Sequence, residues 1–460
     1  MSTDLIPAAV AAEGFLQVEA SGIEAIAPSA RRGRPRDLGF LWAGAFVNYA
    51  SLLTASLLTT FYGLGVWDGL AATVLGTLAG ALIIGLLSNA GPATGLPQIV
   101  FTQRIFGAPG ARVGAALTLF LAVGWFAVDC VIAAQAGTQL LGFGSNRGAT
   151  FALVLVVAAV SVVVAVFGHR TISVLETYGA VLFGLLALVL FAVLAPQMQW
   201  SAGATASSAD YPGALVLGFM TCFALVASWF PFASDYSRYL PASSSRRAVT
   251  LWPAAGVLAP MLLLGLFGLL LPTIDAKLAA DQGVLAVIQR HAPAWVALPF
   301  FAFVVLGEIW ANYLDVYTAG LVSLAMGLRM KRWQTALGCG VVGATLAGAA
   351  VLITDFHVAY QDFLILTYLW APAWAAVVLL TFFVLKGGAG KRQAMVAWAA
   401  GTLSSLAFVN YPNLFGSAFP TAHYPNQALI DGLHSADLSG LVSVAVAAAV
   451  FLGLSRVGAR

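Results

Sequence analysis

The chain of 460 residues is strongly apolar, because 61% of its residues are hydrophobic and only 8% are charged. Soluble proteins carry about 25% charged residues, and a soluble fold of this size has too little interior to bury so much apolar surface. The composition excludes an ordinary soluble protein and predicts an all-α polytopic membrane protein. The formal net charge of +3 is small, so the positions of the charges carry more information than their sum.

The predicted elements are all helices. Residues 1–38 mix acidic, basic and apolar side chains and are predicted to form a disordered cytosolic tail. Twelve apolar runs follow, each long enough to cross a bilayer. They cover residues 39–61, 66–88, 113–140, 150–168, 172–194, 213–234, 250–271, 297–323, 334–354, 363–385, 394–410 and 438–455.

The basic residues orient these spans. If residue 1 lies in the cytosol, all but three of the 21 Lys and Arg residues fall on the cytosolic side, the exceptions being Arg147, Lys277 and Arg290. Such an asymmetry is the positive-inside pattern of membrane proteins. It predicts a multi-pass protein of the cell (inner or plasma) membrane with both termini in the cytoplasm.

The sequence lacks the motifs of several enzyme classes. It has no GKS- or GKT-type phosphate loop, no HExxH and no GxSxG, so neither an ATP-driven pump nor an intramembrane hydrolase is predicted. The three cysteines, Cys130, Cys222 and Cys339, lie in apolar runs without metal-ligand spacing. We expect no enzymatic activity, cofactor, metal site or nucleic-acid partner. A secondary transporter is the leading class; a channel or a sensor is a remote alternative.

Two spans contain residues that interrupt helices. Span one contains NYASLLTAS (48–56), and span six contains ASWFPFASDYSRY (227–239) with Pro231 in the middle. Proline removes a backbone donor, and small polar neighbours satisfy the freed groups around a cavity. In inverted-repeat transporters, broken helices at corresponding positions of the two repeats mark the binding site near the bilayer midplane. Asp235 and Arg238 are predicted to form a local pair at the end of span six, worth a few tenths of a kcal/mol.

Acidic residues within the spans are the candidate functional groups. In span eight, Glu308, Asn312 and Asp315 follow one helix face at i, i+4 and i+7, and span three carries Asp129. Charge in a bilayer is costly, no Lys or Arg stands in mid-span to offset it, and burial favours the neutral form of a carboxyl group. This pattern is typical of a proton-coupled carrier. The structural alternative is that these acids cap or cross-link helices.

Span three also carries an aromatic candidate. Trp125 precedes Asp129 by one helical turn, so the indole and the carboxyl group share a face. A flat heteroaromatic ligand fits such a pair, because its ring stacks on the indole while the acid accepts an N–H. The alternative is an ordinary packing tryptophan.

Four stretches together resemble the nucleobase:cation symporter family, in particular its purine–cytosine permease branch. The family has an E-x-x-G-I-E-x-I-P lead-in to span one, a Gly-Pro, Gln-Arg and Phe-Gly segment between spans two and three, a W-x-x-Y-A-A-D-Y exit from span six, and an N-N-I-P-N segment in span eight. The matching stretches are VEASGIEAIAPSARRGRPRDLGFLW (18–42), GPATGLPQIVFTQRIFGAPGARVG (91–114), SWFPFASDYSRYLP (228–241) and WANYLDVYTAGLVSLAMG (310–327).

The resemblance implies a LeuT-like fold. Residues 39–385 would form a ten-helix core of two five-helix inverted repeats, about 39–194 and 213–385, and residues 394–460 would form two peripheral helices with a short tail. The substrate would lie between spans one, three, six and eight. Carried over by position, the implied substrate-binding residues are Trp125, Asp129, Trp229, Asn312, Asp315 and, more weakly, Phe223.

One departure from the family bears on the coupling ion. The sodium-coupled members hold the ion with span-one carbonyls and with span-eight hydroxyls that precede the asparagine. Here the residues before Asn312 are Glu308, Ile309, Trp310 and Ala311, which include no hydroxyl. Sodium needs several oxygen ligands, so the sequence favours protons, with Glu308 as the coupling group.

These observations predict import of a nucleobase, cytosine or a purine or both, by proton symport through alternating access. Trp125 and Trp229 would sandwich the ring, and Asp129, Asn312 and Asp315 would read its edge. The alternative is a carrier of the same fold for another small ring (a hydantoin, allantoin, pyridoxine or a thiamine-precursor pyrimidine), with sodium as the alternative ion.

Overall fold

The fold is known from a computed structural model, which describes residues 24–144, 146–165, 169–328, 331–353, 356–386, 390–410, 424 and 426–457. Within those ranges the side chains of residues 164, 169–180 and 332 are not described. The regular elements of the described residues are all helices. In chain order the α-helices are α1 (Pro35–Phe46), α2 (Tyr49–Thr60), α3 (Val66–Leu87), α4 (Ala90–Thr94), α5 (Gln98–Leu140), α6 (Arg147–Ala165), α7 (His169–Leu194), α8 (Tyr211–Ala227), α9 (Ala233–Ser237), α10 (Arg246–Leu270), α11 (Ala276–Gln282), α12 (Val284–His291), α13 (Ala294–Ala325), α14 (Arg332–Leu352), α15 (Phe356–Leu379), α16 (Lys391–Ser405), α17 (Gln427–Gly432) and α18 (Ser439–Val457).

The helices confirm a polytopic membrane protein. Eight helical segments of the described chain are long and apolar enough to cross a bilayer, and the bent pair α1–α2 makes a ninth. Two shorter apolar helical segments, Arg147–Val163 and Val181–Gln197, lie in α6 and at the end of α7. The predicted count of twelve spans is not confirmed by these lengths.

The first span is broken, as its sequence predicts. α1 and α2 meet at an angle of 58° across Val47 and Asn48. Asn48 begins the second half, because its side-chain oxygen accepts the Ser51 N–H at 3.1 Å and satisfies one of the free donors of a helix start. The Ser51 hydroxyl donates back to the Phe46 carbonyl oxygen at 2.7 Å. Small polar side chains therefore take over the backbone groups that the break leaves open.

The second predicted break, in span six, takes a milder form. α8 ends at Ala227, a 3₁₀ turn covers Phe230–Phe232, and α9 follows directly. Pro231 lies within this turn and removes one backbone donor. The segment from Tyr211 to Ser237 still runs as one span without a sharp bend. The interruption loosens the helical hydrogen bonding and leaves the direction of the span unchanged.

Two ends of the bundle are useful for orientation. The Pro35 face is the end at which α1 begins, and the Thr60 face is the end at which α2 finishes. α5 runs toward the Thr60 face and α13 runs back, so the two helices are antiparallel, and they share an extensive interface in the centre of the bundle.

Glycines bring four helices into backbone contact. A Cβ atom on Gly85 of α3 would overlap the Thr250 carbonyl oxygen of α10, and one on Gly256 of α10 would overlap the Gly39 carbonyl oxygen of α1. A Cβ atom on Gly76 of α3 would overlap a carbonyl oxygen of α8 in the same way. Small residues at helix interfaces let backbones approach this closely. α1, α3, α8 and α10 are therefore packed main chain against main chain.

The structure describes the second part of the segment over residues 1–38, for which a disordered cytosolic tail is predicted. Residues 1–23 lie outside the described residues, but α1 already begins at Pro35. Residues 26–34, here called the N-terminal strap, lie across the Pro35 face. Their hydrogen bonds run from Ile26 N to Gly95 O (3.0 Å), from Arg31 Nε to Ile26 O (2.8 Å), from Arg31 Nη1 to Pro92 O (3.0 Å) and from Gly33 N to Tyr239 O (3.1 Å).

Gly95→Ala should detach this strap. Gly95 has a φ of +72°, which costs an alanine about 1–2 kcal/mol, and the added Cβ would overlap the Arg31 guanidinium group. We expect a lower melting temperature in detergent and faster tryptic cleavage near Arg31. Gly142→Ala is the matched control, because Gly142 has a φ of +74° and open space around its Cβ position. Equal protease sensitivity in the two variants would contradict the assignment of the strap.

Candidate functional site

The centre of the site is a carboxyl group at the broken span. The Glu308 side chain of α13 is fully buried, and its Oε1 accepts the Tyr49 N–H at 2.7 Å. Tyr49 is the first residue of α2, so a carboxylate stands where the helix dipole is positive and the backbone donors are free. The distance is at the short end of the range for N–H···O hydrogen bonds. Glu308 therefore ties the hinge of span one to the centre of span eight.

A second acid from α5 meets Glu308. The carboxyl groups of Asp129 and Glu308 lie within hydrogen-bonding reach of each other. Two carboxyl groups form such a bond only when one of them carries a proton, because an ionised carboxylate has no donor. Trp125 precedes Asp129 and Asn312 follows Glu308 by one helical turn each, so in these antiparallel helices both lie on the Pro35 side of the acid pair. The structure thus gathers predicted residues of spans three and eight in one layer.

Asn312 and Asp315 differ in their surroundings. The Asn312 amide nitrogen donates to the Cys130 sulfur at 3.4 Å and to the Ser161 hydroxyl at 3.3 Å, which links α13 to α5 and α6. Its Oδ1 is buried without a partner, and so are both carboxylate oxygens of Asp315. Within the described part of the chain, neither Asp129, Glu308 nor Asp315 forms an ion pair with a Lys or Arg side chain. Asn312 Oδ1 and the two carboxylate oxygens of Asp315 are thus buried in the described core without protein donors.

Trp125 lies beneath aromatic side chains of α15. The indole is 3% exposed, and it meets the Tyr360 and Phe363 rings edge to face at 6.0 and 5.3 Å. Its Nε1 has no hydrogen-bond partner. The Tyr360 hydroxyl joins the Thr54 hydroxyl of α2 at 2.6 Å, so α15 and the second half of span one close over the indole from the Thr60 face.

Trp229 and Phe223 lie in two different sets of ring contacts on span six, both apart from Trp125. Trp229 packs against Trp42 (5.8 Å, edge to face), and Phe223 stacks on Phe219 at 6.2 Å. Trp42 also meets the Tyr236 ring at 5.6 Å. No ring contact joins Trp125 and Trp229 in the described residues. The predicted stacking of a ligand ring between Trp125 and Trp229 therefore stays a prediction. A ligand between the two indoles would keep them apart, so the lack of contact is compatible with it.

Sequence reasoning missed two members of this layer. Thr54 lies within the quoted 48–56 stretch, which is predicted as a break and not as a contact surface. No sequence pattern distinguishes Tyr360, because a single tyrosine in an apolar helix is indistinguishable from an ordinary core residue. The hydrogen bond between them depends on how α2 and α15 approach each other, which only the fold specifies.

The predicted Asp235–Arg238 pair is far more buried than its position suggested. Both side chains are at most 1% exposed. Asp235 accepts the Gln98 N–H at 2.7 Å and the Thr318 hydroxyl at 3.3 Å, and the charge of Arg238 acts on it. Arg238 itself donates to the Tyr317 hydroxyl at 3.0 Å. The expected few tenths of a kcal/mol refer to an exposed local pair, whereas these two side chains lie in a buried network that joins α5, α9 and α13 at the Pro35 face.

No group of three or more His, Cys, Asp or Glu side chains in the described ranges has the arrangement of a metal site. What the layer offers is a broken helix start, buried acceptors without donors, and an indole N–H without an acceptor. Together with the membrane-spanning helices, these features are typical of membrane carriers that bind their ligand in mid-membrane.

The family follows from comparison with known proteins. Residues 25–402 match the family described as permease for cytosine/purines, uracil, thiamine, allantoin, and the chain belongs to this family. Among its relatives is the putative purine-cytosine permease YxlA of Bacillus subtilis, 26% identical over 395 residues that cover 83% of this chain and 82% of the relative. The purine-cytosine permease fcyB of Emericella nidulans is 22% identical over 388 residues, or 81% of this chain and 75% of that protein.

The solved structures support the predicted fold. Mhp1, described as a nucleobase-cation-symport-1 family transporter in a closed conformation with bromovinylhydantoin bound, superimposes with a TM-score of 0.71 at 13% identity, covering 96% of this chain and 97% of Mhp1. Its inward-facing form gives 0.69. MhsT in complex with L-phenylalanine gives 0.56, covering 91% of this chain and 98% of MhsT. The prediction of an all-α LeuT-like fold is confirmed, and this chain is a membrane transporter of the nucleobase-cation symport family.

Proposed function

We propose that this protein imports a nucleobase, cytosine or a purine or both, by proton symport through alternating access. The observation that carries the proposal is the bond between Glu308 and the first N–H of α2, next to Asp129. A hinge held by a titratable group ties the protonation state of that group to the angle between α1 and α2. Transport of the ligand is proposed as the protein's only activity, without catalysis.

The binding residues proposed are those predicted from the sequence. Trp125 would stack on the ring, and Trp229 would form the opposite wall, with Phe223 as a weaker candidate. The ring edge would face the open acceptors of Asp129, Asn312 and Asp315. Base–aromatic stacking is worth roughly 1–3 kcal/mol per ring, which is enough to hold a small planar ligand whose edge is also hydrogen-bonded.

The coupling step proposed uses two acids and one proton. When the Asp129–Glu308 pair holds one proton, a hydrogen bond joins the two carboxyl groups. The pair then carries one negative charge, which interacts with the free N–H groups at the start of α2. When the site opens to the cytoplasm, water reaches the pair and the proton leaves. The pair then loses the hydrogen bond that the proton provided, and the two negative charges repel each other, so the carboxyl groups would separate. The movement of Glu308 would release or tilt α2.

The proposed setting is the cell membrane with both termini in the cytoplasm, so that the Pro35 face is the inner face. The proposed organisation is a ten-helix core over residues 39–385, with repeats at about 39–194 and 213–385, followed by peripheral helices within 394–460. The excess of Lys and Arg on the Pro35 side supports this orientation.

A second candidate is a carrier of the same fold for a different ring. A relative in Saccharomyces cerevisiae, 22% identical over 344 residues, is named vitamin B6 transporter TPN1. A pyridoxine-like or thiamine-precursor ring would fit the same stacking wall. Sodium remains the second candidate ion, since the solved relatives include a sodium-coupled sialic acid symporter.

Uptake of radiolabelled cytosine and adenine by cells that express the protein tests the proposal. We expect saturable uptake of at least one of the two, which the unlabelled base abolishes in excess. Trp125→Ala should reduce apparent affinity by about tenfold or more, since it removes the stacking surface. Exposed Trp295→Ala is the matched control. Absence of both uptakes, together with uptake of pyridoxine or a thiamine-precursor pyrimidine, would replace the nucleobase by the second candidate.

A further inference from the structure

The starts of α5 and α16 and the end of α18 meet at one place on the Pro35 face. Gly107 interrupts α5 with a φ of +72°, and its Cβ position lies 3.4 Å from the Lys391 Cδ atom of α16. The Gln393 amide nitrogen donates to the Leu454 carbonyl oxygen at 3.0 Å, which joins the start of α16 to the end of α18. Three segments that are distant in the chain are therefore neighbours at this end of the bundle.

Four cations lie at this meeting point, and together they are called the basic junction: Arg104, Lys391, Arg392 and Arg456. Arg104 lies one helical turn before the interruption of α5, Lys391 and Arg392 begin α16, and Arg456 lies in the last turn of α18. All four side chains are exposed. In the described part of the chain, none of the four forms an ion pair.

The three segments of the basic junction supply no acid to offset these charges. Residues 98–128, 363–430 and 438–460 contain no Asp or Glu. Lys391 and Arg392 also lie in the first turn of α16, where the helix dipole disfavours cations. Like charges held near each other repel and raise the local positive potential, which attracts anions. The charge that balances the basic junction must therefore come from outside these segments.

The side of α16 that continues from the basic junction is apolar and exposed. Arg392, Val396 and Leu403 are spaced at i, i+4 and i+11, so they follow one face of the helix. Val396 is 46% exposed and Leu403 is 66% exposed. In a membrane protein, an exposed apolar face of this kind lies against acyl chains. Cations at one end of an apolar face match a molecule with an anionic head and an apolar tail.

We propose that the basic junction binds the headgroup of an anionic phospholipid, whose acyl chains lie along the face of α16 that Val396 and Leu403 mark. Guanidinium and ammonium groups hold phosphate oxygens through charge-assisted hydrogen bonds, and basic pockets between membrane helices are a known setting for such headgroups. The lipid links α5 to α16 and α18, two helices that have no part in the proposed transport. The proposal is independent of the ring that is carried and of the coupling ion.

Binding of lipid to the delipidated full-length protein in a neutral detergent tests the proposal. Phosphatidylglycerol is the anionic probe, and phosphatidylcholine with the same acyl chains is the neutral one. Native mass spectrometry counts the lipids retained by each protein, and a melting curve is measured in parallel. We expect phosphatidylglycerol to bind about tenfold or more tightly than phosphatidylcholine and to raise the melting temperature, both effects weakening as salt is added. Equal binding of the two lipids would overturn the proposal.

Substitution shows whether the preference belongs to the basic junction. Lys391→Gln/Arg392→Gln should bring the two lipid affinities close to each other, because it removes the two cations of α16. Without lipid its melting temperature should not fall, since both side chains are exposed and no buried group loses a partner. Arg104→Gln/Arg456→Gln removes the cations of the other two helices and should have the same effect on the lipid preference.

Arg246→Gln/Arg247→Gln is the matched control. This exposed pair also begins a helix of the Pro35 face, α10, and its loss changes the net charge by the same amount. Its surroundings differ, because the Cβ position of Gly39 in α1 lies 3.0 Å from the Trp252 ring of α10, and the first turn of α1 carries Asp37. We expect the control to keep the full preference for phosphatidylglycerol.

Three further outcomes decide between a lipid site and its alternatives. If the control loses the preference as much as Lys391→Gln/Arg392→Gln does, the charge density of the whole face attracts lipid, and the assignment to the basic junction is wrong. If inorganic phosphate raises the melting temperature as much as phosphatidylglycerol does, the basic junction binds anions without a lipid, and the proposal fails. If Lys391→Gln/Arg392→Gln does not fold, Arg104→Gln/Arg456→Gln decides in its place.

Discussion

Glu308→Gln should abolish uptake against a gradient and leave exchange intact. Glutamine has the same shape, and its amide oxygen still accepts the Tyr49 N–H, so the hinge keeps its cap and the ligand keeps its site. The amide cannot take up and release a proton. In proteoliposomes with an imposed pH gradient of one unit, the wild type should concentrate its substrate up to about tenfold, which corresponds to about 1.4 kcal/mol. The variant should only equilibrate it.

Several comparisons decide what this experiment shows about the coupling group. Counterflow, in which internal unlabelled base exchanges for external labelled base, should persist in Glu308→Gln because exchange needs no net proton movement. Asp431→Asn should accumulate substrate like the wild type. Asp129→Asn and Asp315→Asn identify a rival proton carrier if either loses accumulation while Glu308→Gln keeps it. Accumulation that follows a sodium gradient at fixed pH and ignores the pH gradient would refute proton coupling altogether.

Arg238→Met should destabilise the protein more than any change to its exposed charges. Arg238 is fully buried, donates to Tyr317 and offsets the charge of Asp235. Methionine fills a similar space but leaves that carboxylate buried without its cation. Removing one partner of a buried charge pair costs about 3–5 kcal/mol, which is a large part of the stability of a protein. The measurement is unfolding in mixed micelles or a melting curve in detergent.

A second substitution tests the cause of this loss. Asp235→Asn in the Arg238→Met background removes the orphaned charge and should recover a large part of the lost stability, because replacing both partners is much less harmful than replacing one. Exposed Arg246→Met is the matched control and should lie within about 0.5 kcal/mol of the wild type. A double variant no more stable than Arg238→Met would show that Asp235 is not the cause.

The sequence could predict features that depend on the helical repeat and on the composition of nearby residues. A stripe at i, i+4 and i+7 predicts that Glu308, Asn312 and Asp315 share a face, and low charge density predicts the membrane. Both inferences use local spacing and the cost of burying charge, which hold in any tertiary context. The break in span one could be located for a similar reason, because Asn48 and Ser51 satisfy backbone groups a few residues away.

The features that sequence could not predict depend on contacts between distant segments. The partner of Glu308 is a backbone N–H 259 positions earlier in the chain, and a backbone N–H has no residue identity to detect. In the sequence, Asp235 and Arg238 have the spacing of an exposed pair at a helix end. In the structure, the segment around Gln98 and the Tyr317 region of α13 cover them. The N-terminal strap carries the charges of a disordered tail, yet main-chain hydrogen bonds hold it.

The backbone contacts at Gly76, Gly85 and Gly256 have a mechanical consequence. A side chain between two helices can change rotamer and absorb a tilt, whereas a carbonyl oxygen against an α-carbon has no such slack. We therefore expect α1, α3, α8 and α10 to move together as one rigid group. A rotation of one of these helices would be passed to the other three. If the proposed proton coupling moves the hinge of span one, these contacts would transmit the movement to span six.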